Sequence, residues 1–152
     1  MNKNKSSFVR TIMLVAFVCL FINTTQLFAQ QKTLYQRLGG YDAIAAVVDK
    51  FIGKLATDSQ LSKFFSGLST DSKMKVRQHV VDQLCAATGG PCVYIGRDMK
   101  TAHHGLGISE SDWNLSVKYL VETLDGFKVP EKEKTEVINA LVPLKNDIVE
   151  KM

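Results

Sequence analysis

His103 is the residue whose chemistry and setting point most directly to a function. It follows a glycine–proline corner at Gly89-Gly90-Pro91 and lies in a short helical stretch for which Asp98 is the predicted N-cap. A neutral imidazole presented on a short helix is a common ligand for a transition-metal ion. His104 lies about 100° further round the same helix, so the two rings are not predicted to bind one metal together.

Cys85 and Cys92 lie on either side of the same corner and offer a second kind of chemistry. In an oxidising compartment they can pair as a disulfide, and the alternative is two buried free thiols. Together with His103 and His104 they could also bind zinc. However, the cysteines are separated by six residues, whereas about two to four are usual in zinc sites, so zinc is the less favoured interpretation.

The first 29 residues have the layout of a secretory signal peptide. A basic start is followed by an apolar run over residues 12–22 and by a small-residue cleavage site that ends at Ala29. The run is shorter than the roughly 20 apolar residues of a membrane-spanning helix, so an uncleaved membrane anchor is less favoured than cleavage. We therefore predict export to the periplasm or the medium, with the signal peptide at 1–29, one mature domain at 30–152 and no stable membrane span after cleavage.

The charge of the chain gives no reason to expect a nucleic-acid partner. Its formal net charge is +4, but Lys3, Lys5 and Arg10 belong to the predicted signal peptide, which contains no acidic residue. The mature domain is therefore close to neutral, and it has no arginine-rich patch interleaved with aromatic residues. No nucleic-acid partner is predicted.

Apolar residues recur every three or four positions throughout the mature chain, and no long stretch alternates with a period of two. This pattern predicts a single all-α domain. The predicted helical segments are 34–38, 41–56, a turn at 61–65, a helix from Asp71 or Ser72 to 88, 98–104, a helix from Ser109 or Ser111 to 126, and a last helix that opens at Pro130 and is kinked at Pro143.

Three features together resemble the group I truncated haemoglobins: residues 96–103, the Gly39-Gly40 turn and the Phe64-Phe65 pair. The resemblance covers roughly residues 33–150 and implies a two-over-two helical sandwich that encloses a non-covalent haem b. It makes His103 the proximal ligand of the haem iron through Nε2, while Nδ1 donates to a backbone carbonyl and fixes the tautomer.

The same resemblance implies which side chains line the haem. Phe65 is expected to stack against the porphyrin plane. Tyr94 and Lys100 are candidates for binding the haem propionates, because cations and hydroxyl groups are suitable partners for carboxylates. The complete set of implied haem contacts is Phe65, Val76, Val80, Tyr94, Met99, Lys100 and His103.

On the opposite, distal side this sequence departs from its relatives. Most of them have a tyrosine at the position of Ile52, where the hydroxyl holds O₂, and isoleucine has no such donor. The pocket is therefore expected to favour CO or NO over O₂ in relative terms. His79 and Gln83 are spaced i, i+4 on the facing helix. Gln83 could supply a donor, and His79 either lies at the rim of the pocket or binds the iron as a sixth ligand.

Two functions follow from the resemblance. The first is a haem globin that reversibly binds O₂, CO or NO, of the oxygen carrier or oxygen-binding type, with NO dioxygenase or peroxidase-like activity as side reactions. The second is an exported haem redox or gas-sensing module, with His79 as the sixth ligand and an unidentified electron donor. A helical binding module without a cofactor is a further alternative. It would require side chains to fill the space that haem occupies in a globin.

Overall fold

The structure, a computed structural model, describes residues 31–150, which form helices joined by short connections. The helices are α1 (Leu34–Arg37), α2 (Tyr41–Thr57), α3 (Thr70–Ala87), α4 (Met99–His103), α5 (Glu110–Gly126), α6 (Glu131–Leu141) and α7 (Lys145–Ile148), with 3₁₀ turns at Ser62–Phe64 and Val142–Leu144. No β-strand occurs within residues 31–150, and the all-α prediction is confirmed.

The predicted signal peptide, residues 1–29, lies outside the described residues. Among the helices of residues 31–150, none has both the length and the apolar character needed to cross a membrane.

Helix α3 begins earlier than the sequence predicts. Its N-cap is Ser69, whose hydroxyl oxygen accepts a hydrogen bond from the Ser72 backbone N–H at 3.2 Å. Ser69 has the extended backbone that an N-cap requires, whereas Asp71 lies in the first turn, where its negative charge faces the positive end of the helix dipole. The prediction that α3 begins at Asp71 or Ser72 is therefore wrong. Asp98 is the N-cap of α4, as predicted, and of the two predicted starts of α5 the N-cap is Ser109 and not Ser111.

The buried core lies where α2 packs against α3 and α5. Its members come from these three helices and from α6: Ile44, Ala45, Val47, Val48, Val81, Leu84, Cys85, Leu120, Leu124 and Val137. Full burial of a valine or leucine side chain contributes about 1.5–3 kcal/mol. The contact of α2 with two long helices is therefore the main source of stability, and it forms the frame on which the shorter elements are placed.

The C-terminal helical region is interrupted at Pro143, as predicted. Helix α6 ends at Leu141, Pro143 lies in the 3₁₀ turn that follows, and α7 begins at Lys145. Proline has no backbone N–H to donate, and its ring clashes with the preceding helical turn. Beyond the interruption, α7 packs against α4, the helix that carries His103.

Candidate functional site

Helix α4 has five residues and presents His103 at its last position. Its first turn is held by Asp98, whose carboxylate accepts hydrogen bonds from the backbone N–H and the hydroxyl of Thr101, each at 2.8 Å. The backbone hydrogen bond from Thr101 is the main reason why the pKa of Asp98 lies below its usual value. Asp98 therefore stays ionised and fixes the start of the helix.

The imidazole of His103 is half-buried, and its Nδ1 lies 2.7 Å from the carbonyl oxygen of Met99. A carbonyl oxygen only accepts hydrogen bonds, so Nδ1 is a protonated nitrogen, and in a neutral imidazole with this proton the free electron pair is on Nε2. His104 is different: its side chain is 87% exposed and its Nδ1 lies 3.7 Å from the Glu150 carboxylate. Of the two neighbouring histidines, only His103 has a ring nitrogen held by a backbone carbonyl oxygen together with the partial burial of a metal ligand.

The distal candidates lie on α3. Val76, His79, Val80 and Gln83 follow one another at helical spacing and are all half-buried. The neighbouring face of the same helix contributes Val81, Leu84 and Cys85 to the buried core. Helix α3 thus has one face fixed in the core and an adjoining face that the protein's own side chains cover only in part.

His79 has a buried Nδ1 without a hydrogen-bond partner among the described residues. Its ring meets the ring of Tyr94 edge-on, with centroids 5.8 Å apart and an interplanar angle of 68°. An unsatisfied buried polar atom costs roughly 1–3 kcal/mol. Such an atom indicates that this face of α3 is suited to a bound group that the imidazole can contact.

Tyr94 lies between the distal helix and the segment that leads to α4. Its hydroxyl donates to the carbonyl oxygen of Arg97 at 2.6 Å, and burial raises its pKa above the usual value. The ring folds over Gly96, where a Cβ atom would clash with the tyrosine oxygen, so a larger residue at 96 would displace the ring. Of the other two candidates on this segment, Met99 is half-buried and Lys100 is exposed.

Ile52 and Phe65 come from α2 and from the turn that follows it, and both are half-buried. Ile52 packs against the core. The turn that precedes Phe65 is held by Asp58, whose carboxylate accepts hydrogen bonds from the backbone N–H groups of Gln60 (2.8 Å) and Leu61 (2.9 Å) and from the Tyr119 hydroxyl (2.7 Å). The hydrogen bond from Tyr119 is the main cause of the lowered pKa of Asp58.

Asp112, at the start of α5, holds the same turn from the other side. It is 3% exposed and accepts hydrogen bonds from the Gln60 side chain at 2.7 Å and from the backbone N–H and hydroxyl of Ser109 at 2.9 and 2.7 Å. Burial alone would raise its pKa, but these hydrogen bonds and the nearby Lys63 ammonium outweigh burial and lower the pKa to about 2.

Sequence reasoning missed both Asp58 and Asp112. The Ser109-x-x-Asp112 capping box was the available signal for Asp112. The contact of Asp58 with Tyr119 spans 61 residues and leaves no local signal.

Cys85 and Cys92 form a disulfide, with their Cα atoms 5.7 Å apart. The bond joins the end of the distal helix to the connector that leads to Tyr94 and His103. Because both sulfurs are used in this bond, neither is a thiolate that could bind zinc. The zinc interpretation therefore fails on the state of its two cysteine ligands.

These residues fit a haem. His103 would offer Nε2 to the iron, and Ile52, Phe65 and Val76 would supply partly exposed apolar side chains of the kind that cover a porphyrin. The Nδ1 of His79, which has no hydrogen-bond partner within residues 31–150, is a buried polar atom that a bound group can satisfy. The fit rests on the donor set and on apolar side chains that lie outside the fully buried core.

Comparison with known proteins agrees with this reading. A family model described as bacterial-like globin matches residues 33–150. The group 1 truncated haemoglobin GlbN of Mycolicibacterium paratuberculosis is 35% identical over 120 residues, which are 79% of this chain and 86% of that protein. The corresponding GlbN of Nostoc commune is 34% identical over 79% of this chain and 99% of its own length.

Solved structures give the same result for the fold. The truncated haemoglobin of Tetrahymena pyriformis in its Fe(III) form matches with a TM-score of 0.72 and 28% identity, over 79% of this chain and 100% of that one. The 2/2 haemoglobin of Synechococcus, solved in the cyanomet state with covalently attached haem, matches with a TM-score of 0.71 and 29% identity over the same shares. The predicted two-over-two fold is thus confirmed. The chain belongs to the bacterial-like globins, as a group 1 truncated haemoglobin, and its cofactor is haem with iron.

Proposed function

We propose that this globin reversibly binds O₂, CO or NO, with His103 as the proximal ligand of a non-covalently held haem b. Globins in general bind diatomic gases, and the haem iron supplies the position at which the gas coordinates. The observation that carries the proposal is the hydrogen bond from Nδ1 of His103 to the Met99 carbonyl oxygen, at 2.7 Å. It holds the ring and leaves Nε2 as the free donor atom.

The distal wall that we propose is mainly apolar. Ile52, Val76 and Val80 carry no hydrogen-bond donor, and His79 and Gln83 are the polar groups on the same face of α3. We therefore infer oxygen binding that is weaker than in relatives with a distal donor, together with relatively stronger binding of CO and NO. Because Ile52 offers no donor, NO dioxygenase or peroxidase-like turnover is expected only as a side activity beside gas binding.

A second candidate function is a haem redox or gas-sensing module in which His79 is the sixth iron ligand. The observation that favours it is the buried Nδ1 of His79, which has no partner among residues 31–150. In this case the protein would exchange electrons with a donor that is still to be identified.

Absorption spectra of the ferric, ferrous and CO-bound protein test the first proposal. We expect His103→Ala to lose its haem during desalting, because the ligand to the iron is removed. His104→Ala is the matched control and should retain haem, because its ring is 87% exposed. Haem retention by His103→Ala equal to that of the unmodified protein would reject the assignment.

The ferric spectrum separates the two functions. For the gas-binding globin we expect a high-spin or water-ligated spectrum that is unchanged in His79→Leu. A low-spin spectrum that becomes high-spin in His79→Leu, and not in Gln83→Leu on the same helix face, would instead support the redox or sensing module.

We also propose that the protein is exported, with a signal peptide at 1–29 and a mature domain at 30–152; an uncleaved membrane anchor is the alternative. The basic and apolar start of the chain supports export, and so does the Cys85–Cys92 disulfide, since such bonds persist mainly in oxidising compartments. The intact mass of the protein isolated from its own cells tests this. A mass that includes residues 1–29 would contradict cleavage.

A further inference from the structure

We propose that Glu150 is a positioning residue for His103: its carboxylate holds the loop that follows the histidine and thereby fixes the orientation of the imidazole. The proposal rests on the proposed role of His103 as the iron ligand. It concerns a residue that lies 47 positions further along the chain and that no sequence pattern singles out.

The contact is formed by three hydrogen bonds. The backbone N–H of Gly105 donates to Oε1 of Glu150, and the N–H of Gly107 donates to Oε2 at 2.9 Å. In the opposite direction, the backbone N–H of Glu150 donates to the carbonyl oxygen of Ile108 at 2.9 Å. Both carboxylate oxygens are therefore engaged with the loop that begins two residues after His103.

The conformation of the loop explains why it can converge on one carboxylate. Gly105 and Gly107 have φ values of +78° and +65°, in the left-handed region that side chains disfavour. Two backbone N–H groups can then point to the same anion, as in other anion-binding turns of the main chain. Residues 105–107 and Glu150 thus form a clamp between α4 and the C-terminal segment.

The clamp matters for His103 because α4 cannot hold itself. A helix of five residues is far below the length at which isolated helices are stable. Asp98 fixes its beginning, but the backbone of His104 (φ −58°, ψ 130°) already departs from helical geometry, so no further turn supports the end that carries His103. Two contacts provide that support: the packing of α4 on α7 and the hydrogen bonds of Glu150 to the loop at 105–107.

The charge pair between Glu150 and His104 is not what holds this loop. Their nearest atoms are 3.7 Å apart and the His104 side chain is 87% exposed. An exposed pair of this kind contributes little to stability. The hydrogen bonds to the backbone are therefore the part of the contact that an experiment should alter.

The test compares the haem-bound Glu150→Gln protein with the haem-bound protein that has Glu150. Glutamine has nearly the same shape but only one acceptor oxygen, so its amide group faces one of the two glycine N–H donors. We expect the iron–histidine stretching band in the ferrous resonance Raman spectrum to shift or broaden. We also expect haem transfer to excess apomyoglobin to be about threefold to tenfold faster. Amide exchange should become faster at Gly105 and Gly107.

Two variants make these readouts interpretable. All Raman spectra are recorded in a His79→Leu background, which removes the candidate sixth ligand of the iron. Glu131→Gln is the matched control, because Glu131 is an exposed carboxylate paired only with Lys134 on its own helix in the described part of the chain. It should leave the band, the haem transfer rate and the two amides unchanged.

The outcomes separate this proposal from the proposed function. If His103→Ala loses haem while Glu150→Gln leaves the iron–histidine band unchanged, Glu150 is not a positioning residue and the iron ligand stands. If His103→Ala retains its haem, the proposed ligand itself is wrong. A Glu150→Gln protein that is only less stable to urea, with an unaltered band and haem transfer rate, overturns the positioning role as well.

Discussion

At the scale of single residues, Ile52 is the side chain through which we expect this protein to differ most from its relatives in gas binding. It lies half-buried on α2, packed against the core, with no group that can donate a hydrogen bond. Bound O₂ acquires partial negative charge, whereas CO acquires much less. A missing donor therefore weakens the retention of O₂ more than that of CO.

Introducing a hydrogen-bond donor at position 52 should therefore strengthen the retention of O₂ relative to CO. Loss of a hydrogen bond to a charged partner costs roughly 1.5–3 kcal/mol, so we expect Ile52→Tyr to slow O₂ dissociation by about tenfold or more. Stopped-flow displacement of O₂ by CO measures this rate. Ile52→Phe adds the same ring without the hydroxyl and is the control. Equal O₂ dissociation rates in the two variants would show that the missing donor does not determine O₂ release.

At the level of the helices, the sequence could predict those boundaries that are set by residues next to the helix itself. Asp98 stands directly before the helix that it caps, Ser109 is one of the two serines predicted to begin α5, and Pro143 lies between α6 and α7. These boundaries could therefore be predicted from the chain to within a few residues. Ser69 could not be chosen over its neighbours, because several adjacent side chains are able to cap and the backbone conformation decides between them.

Contacts between distant segments were not predictable in this way. The hydrogen bond from Tyr119 to Asp58 spans 61 residues, and the one from Gly107 to Glu150 spans 43. Neither pair belongs to a periodic pattern or a motif, since each depends on how the helices pack. The helix that carries His103 could therefore be located from the sequence, whereas the groups that hold its end could not.

The Cys85–Cys92 disulfide, which joins the end of α3 to the connector before α4, is expected to raise the free energy of unfolding. It closes a short loop around Gly90, where a Cβ atom would lie 2.7 Å from Sγ of Cys85 and 2.5 Å from the ring of Tyr35. Cys92 is only half-buried, so Cys92→Ser breaks the bond with little disturbance of the core. For a loop of this length we expect the free energy of unfolding to fall by about 2 kcal/mol.

Urea unfolding of the haem-bound protein, followed through the Soret band, measures that loss. Reductant should lower the unfolding midpoint of the unmodified protein to a similar extent and leave Cys92→Ser unaffected. If reductant changes both proteins equally, or neither, the bond is not the source of the stability difference.

For the molecule as a whole, the carboxylates that hold the turn before Phe65 make the free energy of unfolding depend on acid, because folding lowers their pKa. Asp112 is the most buried of them, and its pKa is about 2 in the folded protein against an ordinary value of 3.8. A pKa lowered by folding contributes stability above the unfolded value, and that contribution is lost as the pH falls through the folded value. Between about pH 4 and pH 2 the protein should therefore lose about 2 kcal/mol from this group.

The prediction is tested by comparing Asp112→Asn with the unmodified protein over the same pH range. At pH 7 asparagine cannot accept the hydrogen bonds from Gln60 and Ser109 with a full negative charge, so the variant should be less stable to urea by about 2 kcal/mol. As the pH falls from 4 to 2, Asp112 becomes protonated in the unmodified protein and the difference should shrink. Asp71→Asn, a change at an exposed carboxylate in the first turn of α3, should show no comparable narrowing. A difference for Asp112→Asn that stays constant down to pH 2 would mean that the charge of Asp112 does not stabilise this turn, and that its contribution comes from shape and packing alone.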